Sequence, residues 1–279
     1  MPTPDSFVRR IRAHLESLSA AERTLANFVL EFPGELASYA GNELAGLAGV
    51  SPATVSRFVR RIGYKNYEEA RRRVRQEKQT GSPLFQTPTA VRGKTGRVLT
   101  HFEQSQANIA ATFQRLDESA IAAIAKALIA APQVLVFGSR SSQGFAVYLR
   151  WQIMQVLPRV VALPGAGETL AEHLVNLAQR DVVVVFGTRR QTRQMDTLLQ
   201  GAQRTGSRIL FIGDLASPDC SFATWSIRCD CAGPGLLDNH AAVMAVCDLL
   251  ATTVVEASGA AGRKRLAAIE TIHEDSGDL

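Results

Sequence analysis

Three short runs constrain the fold of this 279-residue chain more than any other feature: VLVFGSRSSQG at 134–144, VVVVFGTRRQT at 182–192 and RILFIGD at 208–214. Each is a β-rich apolar stretch that reaches a glycine and then gives way to a loop or a helix-compatible segment. A strand that is apolar on both faces must be covered on both, which calls for a parallel sheet between two layers of helices. Val160 to Leu163 supplies a further strand between the first two. The expected class is α/β, with a doubly wound parallel sheet in this half of the chain. Ligands of such sheets bind beyond the carboxyl ends of the strands, where glycine loops let backbone amides approach an anion.

The loops Gly138–Gly144 and Gly187–Thr192 are both of that kind and are expected to flank one crevice. The first offers the hydroxyls of Ser139, Ser141 and Ser142 together with Arg140; the second offers Thr188, Arg189, Arg190 and Thr192, with Arg193 just beyond. A guanidinium fork binds carboxylate or phosphate in pairs, so the arginines suit an anionic ligand, phosphosugar or sugar acid. The other reading turns them to solvent or to another subunit and leaves the site lost. A long apolar helix is expected from Asp238 or Asn239 to Glu256, buried in the core or between subunits. Asn239 and His240 at its start are further ligand candidates, because helix amino termini favour anions; the alternative is that Asp238 merely caps the helix.

The first 78 residues read as helices throughout. Ser19 to Glu22 has capping-box spacing, with Leu25, Phe28, Val29 and Phe32 following at helical intervals up to Pro33. Net charge is +5 overall, yet residues 51–78 alone hold nine Lys or Arg against three Glu. A basic footprint so concentrated suits a polyanion, nucleic acid first; a solvated helix face is the plainer reading of RRRVRQEK. Just ahead of it stands NELAGLAGVSPATVSRFVRRIGY. A helix-turn-helix needs a small residue at the crossing, a turn glycine and apolar anchors, and Ala45, Gly49, Val50, Val55 and Phe58 occupy those places. Ser51 is a good cap and Pro52 suits the first helical position, so the second helix runs from about Pro52 to Ile62. In a major groove its start meets base edges: Ala53, Thr54, Ser56 and Arg57 are the expected exposed readers, Arg57 by a bidentate bond to guanine. Arg60, Arg61, Lys65 and Tyr67 are placed for phosphates.

The run from Leu18 to Val74, with LAGLAGVSPATVSRFVRRIGYKNYEE at its centre, resembles the amino-terminal domain of the RpiR (MurR/RpiR) family of bacterial transcriptional regulators. The carboxyl-terminal half is similar to the sugar isomerase (SIS) domain that follows it in that family and usually senses a phosphosugar. The family's first loop, Gly-x-Gly-x-Ser, falls on Gly138 to Ser142, with Arg140 in place of the second glycine. Its second, Ser-x-Ser-Gly-x-Thr, falls on Gly187 to Thr192, where only the final threonine is kept. The resemblance implies a ligand-responsive regulator of carbohydrate metabolism that binds an operator duplex as a homodimer or homotetramer.

Domain limits follow: a DNA-binding domain over 1–78, a linker rich in Gly, Pro, Ser and Thr over 79–96, and a SIS-type domain over 97–279. Within the last, helices are expected over Arg97–Leu116 and Ser119–Ala130, the first with Val98, Phe102, Ile109 and Phe113 packing on the domain or on a partner subunit. No apolar run approaches the roughly 20 residues of a membrane helix, and the charged start lacks the apolar core of a signal peptide, so a cytoplasmic location is expected. Four cysteines form neither a disulfide framework nor a metal set; Cys229 and Cys231 are expected on one face of a strand. No cofactor is called for. The competing function is a phosphosugar isomerase on the same fold, for which Glu168, His173 and His240 are the conceivable bases.

Overall fold

The computed structural model describes residues 6–31, 33–79, 96–188, 192–235 and 237–277. The chain divides into two compact units, Met1–Arg92 with Gly235–Leu237 and Gly93–Pro234 with Asp238–Leu279. Gln79 ends a helix and Gly96 caps the next one; the rest of the expected linker, 80–95, lies outside the described residues.

The first unit is helical: α1 (Phe7–His14), α2 (Ala20–Glu31), α3 (Gly41–Leu47), α4 (Pro52–Arg61) and α5 (Tyr67–Gln79), with short 3-10 turns at Leu15–Ser17 and Glu35–Ala37. Phe7, Ile11, Leu25, Val29, Leu44, Val55, Phe58 and Ile62 form its core. The capping box at α2 is real: Ser19 N donates to Glu22 Oε2 at 2.9 Å and Glu22 N to Ser19 Oγ at 3.4 Å. Between α3 and α4 the chain turns on Gly49, whose φ of 65° is costly for any residue with a Cβ, and Val50 N then donates to Ala45 O at 2.9 Å. Ser51 Oγ accepts from Thr54 N, so α4 starts where cap and proline place it.

Two long-range ties fix α4. Arg61 Nε donates to Glu22 Oε1 at 3.2 Å, joining α4 to α2, while Arg10 stacks its guanidinium 4.5 Å over the Tyr64 ring and donates to Gly63 O at 2.9 Å. Glu22 is 2% exposed. Burial alone would raise its pKa, but the Ser19 hydrogen bonds and the Arg61 charge outweigh it and hold the carboxyl below its ordinary value. A depressed carboxylate stabilises the fold above its unfolded pKa and stops doing so as pH falls through the folded one. Glu22→Gln is therefore expected to cost about 1 kcal/mol at neutral pH. Denaturation curves of the variant and the parent should converge in acid; a constant gap would contradict the assignment.

In the second unit α6 (Arg97–Phe113) and α7 (Glu118–Ala130) lead into β1 (Val134–Gly138), α8 (Ser142–Ile153), β2 (Val160–Leu163), α9 (Ala171–Leu174), β3 (Val182–Phe186), α10 (Arg193–Thr205), β4 (Arg208–Asp214), β5 (Trp225–Cys229), α11 (Ala241–Ala257) and α12 (Gly259–Ser276). The five strands are parallel in the order β2-β1-β3-β4-β5. Alternation along each strand divides the core. Val134, Val136, Val182, Val184, Leu210 and Ile212 face α7, α8 and α11. Leu135, Phe137, Val183, Val185, Ile209 and Phe211 face α10 with Met195, Leu198 and Ala202. This is the doubly wound arrangement that unbroken apolar strands require.

Several expectations need correction. The sheet has a fifth strand, β5, which the sequence reading touches only in setting Cys229 on a strand face; it lies at the edge, where Ser226 is exposed and only Ile227 and Cys229 are buried. Cys229 ends that strand and Cys231 lies past it, though both join one core. Burial pushes the Cys229 thiol up to about 12 and raises Cys231 and Cys247 as well. Helix α6 stops at Phe113 and turns polar residues inward: Asn108 Nδ2 donates to Ala232 O at 2.8 Å and Thr112 Oγ1 accepts from Asp230 N at 2.9 Å. Val98, at 87% exposure, and Phe102 face solvent, while Ile109 packs against the core. Helix α11 begins at Ala241, later than expected. Among the described residues no single helix is long and apolar enough to cross a membrane.

Candidate DNA-reading helix and ligand crevice

Helix α4 is strongly two-faced. Val55, Phe58, Val59 and Ile62 are buried at spacings of three and four, which leaves Ala53, Ser56, Arg57 and Arg60 exposed on the other side, with Ser51 at the cap and Lys65 beyond the helix end. Thr54 does not belong to the exposed set. It is 3% exposed, its hydroxyl lies 2.9 Å from Ser51 Oγ, and it accepts from Arg57 Nη2 at 3.4 Å. Thr54 thus steadies the guanidinium of Arg57 and offers no surface of its own.

Two of the expected phosphate contacts are otherwise engaged. Arg61 holds Glu22 and donates to Ser17 O at 3.1 Å. Tyr67 is half-buried; its hydroxyl donates to Tyr39 O at 2.9 Å and Leu36 O at 3.3 Å, and burial pushes its pKa up to about 12. The basic run on α5 is largely structural too. Arg71 and Arg75 donate to Ala37 O at 3.1 and 3.3 Å, and Arg73 pairs with Glu77 at 3.0 Å. Arg57, Arg60, Lys65 and Arg72 are exposed with none of these ties, whereas Arg61 and Arg75 are exposed but held by theirs.

In the second unit the strand order reverses between β1 and β3, because β1 runs on to β2 on one side and β3 to β4 on the other. The loops leaving these two adjacent strands start at that switch point, which is where such sheets bind their ligands. Gly138 begins the first loop, and a Cβ on it would meet Ser142 O at 2.0 Å, so the chain folds back on itself only with glycine. Arg140 follows at φ 58°, a left-handed conformation that a side chain rarely takes. The loops are joined by hydroxyls: Ser142 Oγ and Thr188 Oγ1 are 2.7 Å apart in a buried contact, and Thr192 Oγ1 donates to Ser139 Oγ at 3.4 Å. Thr192 also caps α10, accepting from Met195 N at 3.3 Å. The amino-terminal ends of α8 and α10 therefore lie at the same joined loops, with Ser141 as the cap residue of α8 and Arg193 opening α10.

Sequence reasoning missed the brace beneath. A Cβ on Gly187 would stand 2.4 Å from the Phe211 ring, and Gly187 O accepts from Ser217 Oγ at 2.6 Å. Asp214 Oδ1 accepts from the same hydroxyl at 2.8 Å. Arg228 on β5 donates to Asp214 O and Ser217 O at 3.1 and 2.9 Å. The one local signal was an aspartate directly after the β4 glycine.

Arg189 and Arg190 lie outside the described residues. Asn239 is engaged within the fold: its Oδ1 accepts from Ala241 N at 3.0 Å and its Nδ2 donates to Ser105 Oγ at 2.8 Å, so Asn239 caps α11 and ties it to α6. The His240 ring lies tilted 5.1 Å from that of Phe145, one turn into α8. Glu168 and His173 form a carboxylate–imidazole pair at 2.9 Å in the segment after β2. An open cleft of about 730 Å³ lies at the opposite ends of β1 to β3, where the Asp181 carboxylate accepts from Gln133 N and Ala178 N and so serves the fold.

Ser142→Ala would leave the Thr188 hydroxyl buried without its partner, at an expected cost of about 1–3 kcal/mol. Adding Thr188→Val removes the orphan, so the double variant should melt above the sum of the two single losses. Strict additivity in a thermal double-mutant cycle would show that the two loops are not joined there.

Residues 6–81 match the family model described as a helix-turn-helix domain of the rpiR family, and residues 127–253 match the SIS domain. The HTH-type transcriptional regulator HexR of Escherichia coli K12 is 24% identical over 97% of this chain and 95% of its own length. HexR of Pseudomonas aeruginosa is 24% identical over 76% of this chain and 75% of its own. Among solved structures, the sugar isomerase domain of an RpiR transcription factor from Sphaerobacter thermophilus superposes with a TM-score of 0.59 at 23% identity, over 63% of this chain and 99% of that one. The Vibrio vulnificus NanR protein complexed with ManNAc-6P does so at 0.57 and 17% identity, over 97% and 98%.

Proposed function

The chain belongs to the RpiR family of DNA-binding transcriptional regulators and carries a SIS domain, and on that premise we propose that α4 reads an operator while the crevice at β1 and β3 senses a small anionic sugar metabolite. Ala53, Ser56 and Arg57 meet base edges, and Arg60 and Lys65 meet phosphates. Two half-sites on a symmetric operator require at least a homodimer. The ligand acts by binding the DNA-competent and DNA-incompetent states unequally. The observation that carries the ligand reading is the pair of hydroxyl-joined loops bordered by two helix amino termini. The phosphosugar in the NanR complex supports the same class of ligand. Arg140 supplies the guanidinium, and Arg189 and Arg190 are assigned to that anion on the sequence alone.

Arg140→Gly tests this with two opposite signs. Relief of the left-handed backbone is expected to stabilise the second unit by about 1 kcal/mol. Loss of the guanidinium should weaken the ligand about tenfold or more. A thermal-shift panel of sugar phosphates, their unphosphorylated parents and sugar acids reads both. A variant that gains stability and keeps full ligand affinity would remove Arg140 from the site.

The Glu168–His173 pair is the observation that favours a second reading, a phosphosugar isomerase, since it joins an imidazole to a carboxylate near a strand end. Turnover of any sugar phosphate that His173→Ala abolishes would establish it. The regulator reading expects none.

A further inference from the structure

Helix α12 runs for 18 residues and buries only Gly262. It turns by 102° from α11, and Arg265 Nε, donating to Met154 O at 3.1 Å, holds its first half against the end of α8. So long a helix draws its stability from a packed face, here the line of Gly262, Leu266, Ile269 and His273 with Leu266 against the core, and the adjoining face is exposed. Its charges also run against the helix dipole, with Glu274 and Asp275 in the last turn. Ala261, Lys264, Ala268, Ile272 and Asp275, all exposed, fall on one stripe at spacings of three and four. Ile272 is 65% exposed, and among the described residues neither Lys264 nor Asp275 has an ion-pair partner. Three residues before Met154 stands Trp151, 57% exposed, with Val147 exposed on the same face of α8.

We propose that a second copy of this chain docks on the surface formed by α8 and α12, with the two α12 helices antiparallel. The stripe complements itself only in that direction. Two-fold pairing sets Lys264 of each copy against Asp275 of the other, and Ala268 against Ile272, so the charge pair forms twice. It also brings the acidic last turn of each helix toward the basic residues Arg263 and Lys264 of its partner, which relieves the unfavourable placement within one chain. Trp151 extends the apolar contact beyond one helix, and tryptophan is the residue type that most often anchors an interface.

The proposal rests on the dimeric reading above, and sedimentation of the full chain separates the two. Lys264→Asp and Asp275→Lys, each placing like charges together at both contacts, are expected to weaken self-association about tenfold. The double variant Lys264→Asp/Asp275→Lys restores both pairs and should return to within about twofold of the parent. Trp151→Ala is expected to weaken association at least about tenfold without unfolding, since the side chain is mostly exposed. A parent dimer unmoved by either charge reversal, or a double variant no better than the worse single one, overturns the α12 pairing and leaves the dimeric reading intact. A monomeric parent overturns both.

Discussion

Gly138→Ala is expected to destabilise the second unit by about 1–3 kcal/mol and to make operator binding insensitive to ligand. The added methyl would lie 2.0 Å from Ser142 O, 2.4 Å from Ser142 C and 2.9 Å from Gln143 N. All three are backbone atoms and none can swing aside, so either the end of β1 or the start of α8 has to move. Both hydroxyl contacts between the loops depend on that geometry, Ser142 to Thr188 and Thr192 to Ser139. Gly144 supplies the control, because a Cβ there meets nothing within 4 Å. It lies inside α8, where alanine is favoured over glycine by roughly 1 kcal/mol, so Gly144→Ala should be neutral or stabilising. Thermal melts compare the two directly, and Gly138→Ala melting with the parent would mean that the fold-back is not held as described.

Arg57→Ala is expected to lower affinity for the specific operator by about 10–100-fold, the 1–3 kcal/mol of a bidentate contact to a base. Random DNA should lose much less. Lys65→Ala should instead weaken every sequence alike and reduce the salt slope by about one. The buried Thr54 hydroxyl sharpens the expectation for Arg57, since it tethers the guanidinium toward the amino-terminal end of α4, the end that enters a groove. Equal losses on specific and random DNA, read by anisotropy at two salt concentrations, would take Arg57 out of base reading. Arg61→Ala belongs to a different class, because its partner is Glu22 and its cost falls on the stability of the unit.

The two-faced helix and its start were legible because a cap, a proline and apolar residues at three and four apart all lie within one short run. What was not legible around it has two causes. Arg61 and Tyr67 carry groups that suit phosphate, but their partners, Glu22 and the carbonyls of Leu36 and Tyr39, are 28 to 39 residues away in sequence. Thr54 was misplaced for a more local reason, the folding of its side chain back onto the Ser51 cap.

The sheet shows the same division. Strands β1, β3 and β4 announce themselves because both faces are buried and the edge strand β2 because its four residues are all apolar, whereas on the β5 edge Ser226 and Arg228 interrupt the apolar run. The two loops were legible from strand-end glycines, and the structure joins them through Ser142 with Thr188 and Ser139 with Thr192. The brace of Asp214, Ser217 and Arg228 was not legible, since its bonds reach across β4, β5 and the loop between them. Asn239 reads as a ligand residue by position alone; only the bonds to Ala241 and Ser105 show it to be a cap and a tie.

The most direct test of the account is operator affinity of the full chain, measured by anisotropy on a duplex that the protein itself selects from random DNA. It is titrated with the panel of sugar phosphates, unphosphorylated parents and sugar acids. The predicted result is an inverted-repeat operator whose affinity shifts at least about fivefold, the lower end of ordinary coupling energies, with an anionic sugar only, and a Gly138→Ala protein that binds the same DNA without the shift. An operator bound equally tightly with every member of the panel would contradict the ligand crevice, and a selection that enriches no sequence would contradict the reading helix.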